Sequence, residues 1–364
     1  MGIHNGTQTI LEPSEESLKE YKYAWRHSPV FRNFEKEYLF IYAHGCNLID
    51  FCDDKDYFLK LKNTMIAQKK AAQTAKINLE DSCIFDLLPE FQFKKWMSAR
   101  HAVMERILET VARPPDYEIL HKAHVVSETI SKQKISYKER DSKVIYNIFG
   151  SATGRFTTPR SSVPVLTMKK EDRHFLKPKN DAFVEFDYNA AEVRTLFALS
   201  GKEQPQQDIH TWVNNNVFDG RYSREESKIK LFSWLYNFSA SDIRLSKFFS
   251  RQNFRDFYSY ENETLITPFG RTLKVEERKA QNYLLQSTTS DIVIDKAYKI
   301  MKLLKNKKTN LAFTLHDSII LDFSKKDVNM LHEIKKVFEN TRWGQFQSNC
   351  SVGKDFGNLK EFKF

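Results

Sequence analysis

The sequence predicts an α+β fold, an antiparallel sheet set among long helices, and three stretches carry that expectation. From Val184 to Asp187 apolar and polar residues alternate as in a half-buried strand. From Ala190 the pattern turns helical, with Val193, Leu196 and Phe197 on one face and Arg194 and Thr195 off its centre. Leu311 to Phe323 reads as two apolar strand halves flanking His316-Asp317-Ser318, the pattern of a hairpin with polar residues at its turn. Glu277 to Ile300 is a long helix with Arg278, Asn282, Gln286 and Thr289 along one side, beside apolar Tyr283, Leu284, Ile292 and Val293. The first strand delivers Asp187 to its own end just before a helix, which holds a carboxylate on rigid backbone. An Asp such as Asp317 in a hairpin turn is ordinarily turn chemistry.

Composition bounds the rest. At 364 residues the chain is long enough for two or three domains. A hydrophobic content of 41% with 13% aromatics excludes a disordered chain. No apolar run reaches the length of a membrane span, and Met1 to Glu20 has no signal-peptide core, so a soluble cytoplasmic protein without membrane partners is expected. Cys46, Cys52, Cys83 and Cys350 form no CxxC pair, which gives neither a zinc site nor a disulfide framework. A formal charge of +10 suits a polyanionic partner, but a merely basic soluble protein has the same charge, and net charge alone leaves both open.

Taken in order, residues 1–30 read as a leader or docking segment. A helical region follows from Phe31, interrupted at Gly45 and continued by a basic helix from about Asp56 to Lys76. Its Lys60, Lys62, Lys69, Lys70 and Lys76 most simply mean a solvated face. The helical pattern continues to about Lys134, punctuated by Pro114-Pro115. Lys143 to Phe149 looks like a strand leading into Gly150–Thr158, a loop whose glycines and hydroxyls around Arg155 can approach a phosphate or base edge closely. Alone, that loop is an ordinary turn with a surface Arg.

After Asp208-Ile209-His210-Thr211 comes a helix from about Tyr222 to Phe238, in which Arg224, Lys228, Phe232 and Tyr236 recur every four residues. Two cations followed by two aromatics can bind a triphosphate at one end and stack on a sugar or base at the other. From spacing alone the plainer meaning is an amphipathic core helix, with Phe and Tyr buried and the cations in solvent. Residues 241–265 carry no readable motif, and Thr267 to Arg271 is a tight turn. The tail holds a helix (Asp327 to Glu339) and a strand near Ser348 to Val352.

In this order the motifs resemble those of family A DNA polymerases, the bacterial polymerase I type and particularly its phage members. Asp187-Tyr188-Asn189-Ala190-Ala191-Glu192-Val193-Arg194 is similar to the family's first carboxylate motif, and Asp208-Ile209-His210 to its Asp-Ile-His. Arg224, Lys228, Phe232 and Tyr236 match the fingers-helix motif in register. Asn282 and Gln286 fall on the Gln-bearing helix, His316-Asp317 is similar to the His-Asp hairpin, and Thr153-Gly154-Arg155 to the Thr-Gly-Arg loop. The resemblance covers roughly residues 145–360, and more loosely the helices from about residue 35.

The resemblance implies a right-hand polymerase fold: a palm with an antiparallel sheet and helices (146–205 and 277–364), helical fingers (206–276) and a helical thumb (31–145). It implies synthesis on primer-template DNA from deoxynucleoside triphosphates, with two Mg²⁺ ions held by Asp187, Asp317 and the Tyr188 carbonyl. Arg224, Lys228 and His210 would hold the triphosphate, with Lys228 as a charge or proton donor to the leaving group. Phe232 would stack on the sugar, Tyr236 would sit by the templating base, and Glu192 would reject a 2′-hydroxyl. Arg155, Arg278, Asn282 and Gln286 would read the minor groove, and His316 would contact the primer terminus. A phage-encoded protein of this kind would work in the host cytoplasm.

The departures matter as well. Ser318 stands where the family usually has Glu, so a third carboxylate is expected to be lost. Leu231, Ser233 and Asn237 replace Asn and two Gly, which adds bulk near Phe232. No 3′→5′ exonuclease domain fits before the thumb-like region, so proofreading is expected from a separate exonuclease, and a processivity factor is a further candidate partner. The alternative is a degenerate polymerase fold that binds primer-template without extending it. A single-subunit RNA polymerase is disfavoured by Glu192 and the short chain.

Overall fold

A computed structural model of the chain describes residues 48–77, 114–237 and 239–363, scattered positions in 88–106, and a short pairing of Ile3–His4 with Thr9–Ile10. Apart from that pairing, the expected leader lies outside the described residues, as do the helix expected from Phe31, Cys46 and Cys83. The chain divides into two compact units, Met1–Tyr117 and Glu118–Phe364.

In the first unit, helix α1 (Lys55–Thr74) starts at Asp54, whose side chain accepts the Tyr57 N–H at 2.8 Å. It buries Phe58, Leu61 and Ala72, while Lys60, Lys62, Lys69, Lys70 and Lys76 are exposed, so the basic run is a solvated face.

The second unit is entered through α2 (Tyr117–Ser131), followed by the hairpin β1 (Ile135–Tyr137) and β2 (Arg140–Ser142), with β3 (Leu176–Lys177) paired to β1. Where a strand was expected over 143–149 there is no ladder: a single bridge joins Asn147 to Thr157, and 148–149 form a turn. Val144, Tyr146 and Ile148 do point inward with period two. Their backbone, however, bonds to a loop: Asn147 exchanges bonds with Thr157, and the Ile145 N–H donates to Ser162 Oγ. Alternation reports which side is buried, not what lies alongside.

The main sheet consists of β4 (Ala182–Tyr188), then β8 (Asn310–Leu315), β9 (Ser318–Phe323), β10 (Ser348–Gly353) and β11 (Lys360–Glu361). Its order is β8-β9-β4-β10-β11, and every pairing is antiparallel. The expected strand at 184–187 and the hairpin at 311–323 are both present. Between β4 and β8 lie α3 (Ala191–Leu199), α4 (Ile209–Val217), α5 (Arg224–Tyr236), α6 (Ile243–Phe249) and α7 (Glu277–Leu303). The unreadable 241–265 forms α6, a 3₁₀ turn and the first two strands of a small meander, β5 (Tyr258–Ser259), β6 (Thr264–Ile266) and β7 (Thr272–Lys274). Helix α8 (Leu331–Glu339) precedes β10.

Two apolar cores result. One joins the sheet (Phe183, Phe186, Phe313, Ile320) to α8 (Ile334, Phe338) and to Ile292, Val293, Ala297 and Ile300 of α7. The other joins α4, α5 and α6 to Val193, Leu196 and Phe197 of α3 and to Ala280, Leu284 and Leu285 of α7. Helices α3 and α7 therefore belong to both cores. Midway along α7, buried Asp291 accepts Arg271 Nε at 2.8 and 2.9 Å, and the Arg271 guanidinium packs against Gly154. Gly154 has φ +73°, and a Cβ there would lie 2.6 Å from Arg271 Cζ, so only glycine fits.

Asp291→Ala removes one partner of a fully buried ion pair, and the stranded guanidinium is expected to cost about 3–5 kcal/mol of stability. Chemical denaturation checks this; a wild-type midpoint would show that the pair does not secure the fold.

Candidate active-site cleft

The cleft forms where β4 ends. Asp187 lies directly across from Ser318, and the Tyr188 N–H donates to the Asp317 carbonyl at 3.4 Å, so adjoining backbone carries both carboxylates. His316, at the hairpin turn, is in the left-handed region with φ +51°. Beyond Asp187 the chain turns sharply through Ala190, also left-handed at φ +52°. Arg194 fixes that turn. It is fully buried and donates from Nε to the Asn189 carbonyl at 2.8 Å, and to the Pro205 carbonyl and Gln347 Oε1 at 3.2 Å. A buried guanidinium satisfied largely by carbonyls pins the strand-to-helix corner beside Asp187. The Tyr188 ring stacks on Phe338 at 4.0 Å, which anchors the strand end from below.

A cavity of about 260 Å³ opens at this corner. It is lined by Glu192 of α3, Phe232 and Tyr236 of α5, Thr289 and Ser290 of α7, and Arg155, His316 and Asp317. Arg155 Nη2 meets Glu192 Oε1 at 2.5 Å, while Glu192 Oε2 is buried without a partner.

Helix α5 begins at a capping box: Ser223 Oγ accepts the Glu226 N–H, and Glu226 accepts the Ser223 N–H. Its buried face is Ser227, Leu231, Trp234 and Leu235. Arg224 and Lys228 are in solvent, as the plainer reading expected, and Phe232 is half-buried against the second core, but Tyr236 at the end of the stripe is exposed rather than buried. The Phe232 and Tyr236 rings stack 5.6 Å apart and 3° from parallel at the cavity wall.

The other predicted residues lie off the cavity wall. Arg224 is held by Asp208, Nε and Nη2 donating at 3.0 and 2.9 Å, and by Glu225 at 2.5 Å. Asp208 caps α4; burial works against its charge, but Arg224 and the Thr211 N–H and hydroxyl bring it down to about 2. His210 is buried, its ring 5.8 Å from Phe232 and its Nδ1 unpartnered; burial lowers its pKa. Lys228 is exposed on the same face of α5. On α7, Asn282 donates to the Tyr236 carbonyl at 3.3 Å, Gln286 is half-buried, and Arg278 pairs with Glu276 at 2.5 Å.

Negative charge is concentrated at the strand ends. Burial, then Asp317 and Glu185, push Asp187 up to about 7. Burial also raises Asp317, against its own backbone N–H, His316 and Arg155. Glu192 is raised by burial despite Arg155, and His316 is lowered by burial and then by Arg155. Among the described residues no Lys or Arg lies within ion-pair distance of Asp187 or Asp317, and no three His, Cys, Asp or Glu side chains converge on one cation position.

Sequence reasoning did not single out Glu185, Asp208 as the partner of Arg224, or the buried tether Arg194. Glu185 had a signal: spaced two from Asp187 on a strand, it must share that face.

No protein-family model and no curated protein matches the sequence. Among solved structures, the chain is similar to the POL domain of Pol1 from M. smegmatis in complex with DNA primer-template and dNTP. The TM-score is 0.50 at 14% identity, over 84% of this chain and 67% of that one. The likeness shows the fold, that of a DNA polymerase domain.

Because the folded state holds the Asp187 proton up to about pH 7 while the unfolded chain releases it near 4, ionisation favours the unfolded chain. Stability from this group is present at low pH and lost between those values. Asp187→Asn should therefore melt higher than wild type at pH 8 without divalent cations, and the difference should shrink towards pH 4. A thermal shift that does not vary with pH would sink the assignment.

Proposed function

We propose that the chain is a template-directed DNA polymerase that adds deoxynucleotides to a primer 3′-hydroxyl. One juxtaposition carries this reading: Asp187 and Asp317 on adjoining antiparallel backbone, beside a cavity walled by Glu192, Phe232 and Tyr236. The fold's likeness to a polymerase domain bound to primer-template and dNTP supports it. In this reading β4, β8–β10 and α7 belong to the palm, α4–α6 to the fingers, and the helices of 31–145, including α1 with its basic face, to the thumb.

The donors fit a hard divalent cation. They are all oxygens, they are half-buried, and no protein cation neutralises them. Two Mg²⁺ held by Asp187, Asp317 and the Tyr188 carbonyl would supply the charge neutralisation that phosphoryl transfer needs. The chain's own residues do the positioning. Phe232 and Tyr236 offer a flat aromatic surface to sugar and base. Glu192, braced by Arg155, crowds the position of a 2′-hydroxyl. Lys228 and His210 lie on the triphosphate side, and Arg155, Arg278, Asn282 and Gln286 on the duplex side. His316, beside Asp317 at the hairpin turn, would contact the primer terminus.

One observation favours a second reading, a fold that grips primer-template without extending it: Arg224 is already committed to Asp208 and Glu225, so a triphosphate must displace them.

Extension of a labelled primer with Mg²⁺ and deoxynucleotides separates the two. Wild type is expected to extend, with Asp187→Ala and Asp317→Ala each reduced by about 100–1,000-fold, the scale on which loss of one charge-stabilising group acts. Binding without extension by wild type would favour the second reading. Glu192→Ala is expected to raise ribonucleotide incorporation relative to deoxynucleotide; an unchanged ratio removes the gate role.

A further inference from the structure

Glu185 has no part in the roles above. It lies two residues before Asp187 on β4, so the strand period places both side chains on one face of the sheet. On β9 that face ends in Ser318, across from Asp187, and the Ser318 hydroxyl donates to Glu185 Oε1 at 3.2 Å. The same hydroxyl is 3.0 Å from the Leu315 carbonyl, so one proton serves two acceptors. Directly across from Glu185 stand Ile320 on β9 and Ser351 on β10, neither charged. No cation lies within ion-pair distance among the described residues; Arg173 and Asp317 act on it from further away. A half-buried carboxylate fixed by a neighbour's hydroxyl, beside two more carboxylates, has no ion-pair partner among the described residues, and a bound cation would supply the close positive charge that distant Arg173 does not. At the end of β9, the residue after His316-Asp317 supplies a hydroxyl, and the strand beside it supplies the acid.

We propose that Glu185, oriented by Ser318, is the third carboxylate of this centre, reaching bound cations through their water shell. This rests on the polymerase reading. Since no three described side chains converge on one ion, Glu185 is a positioning residue. It accepts hydrogen bonds from coordinated water and adds the negative charge that raises cation affinity. The carboxylate that the sequence lacks after Asp317 is thereby restored from the neighbouring strand.

Mn²⁺ binding to the full chain, counted by electron paramagnetic resonance, tests this apart from activity. Glu185→Gln, which can still accept from Ser318, is expected to weaken Mn²⁺ by about 10–100-fold without lowering the melting temperature. Ser318→Ala should shift affinity the same way by a smaller factor. The exchange variant Glu185→Ser with Ser318→Glu, which returns the acid to β9, should recover most of the loss. Wild-type affinity in Glu185→Gln, with Asp187→Asn weakened, overturns the role of Glu185 and leaves the polymerase reading intact. A folded exchange variant that recovers nothing also overturns it. If wild type binds no Mn²⁺ saturably, or Asp187→Asn has no effect, both readings fall.

Discussion

The buried pair Arg271–Asp291 is the constraint on which the cleft depends. It sits at the middle of α7, between the residues that serve one apolar core and those that serve the other. The guanidinium that reaches Asp291 also forms the wall against which Gly154 closes, and Ser290 donates to the Gly154 carbonyl at 3.4 Å. The loop carrying Arg155 is thus indexed to one position along α7. From there Arg155 can meet Glu192, whose helix is set by the Arg194 corner beyond Asp187. A charge pair hidden from solvent is expensive to leave half-made, which makes it a strict spacer even where its net stabilisation is small.

The electrostatics of the cleft follow from that architecture. Antiparallel pairing brings two strand ends, and so two acids, to one edge, and burial denies them water. Arg155 lines the same cavity but is engaged by Glu192. The acids are left to raise one another's cost of ionisation, and a bound cation would relieve it. Sharing one fold with a polymerase domain says nothing of chemistry; the proposed function rests on the arrangement of these acids beside a stacked aromatic pair.

Much of this was legible in the sequence, for identifiable reasons. Periodicity placed Asp187 at a strand end and Asp317 at a hairpin turn, and the two long helices were legible because their patterns run over many turns; only the resemblance joined the two acids into one candidate site. The exposure of Tyr236 on α5 was not legible from spacing, since a four-residue repeat fits a buried face equally well; the burial of Leu231, Trp234 and Leu235 shows which side packs. The strand expected at 143–149 failed because its inward alternation is real but its partner is a loop. Glu185 was hidden by its neighbour: the same alternation that marked the strand also marked this acid as an ordinary solvent-facing position. Only the register against Ser318 shows where it points.

The sharing of α3 and α7 between the two cores has a mechanical side. At 27 residues α7 is a rod roughly 40 Å long, with side chains embedded in both bodies, and such a rod resists bending. Helices α4, α5 and α6 contribute only to the second core. Phe232 and Tyr236 therefore stand on the second core, and the acids stand on the sheet of the first. The distance between aromatic pair and acids is set by the two helices common to both cores, and by Arg194, which ties the segment after α3 back to the strand end through the Pro205 carbonyl.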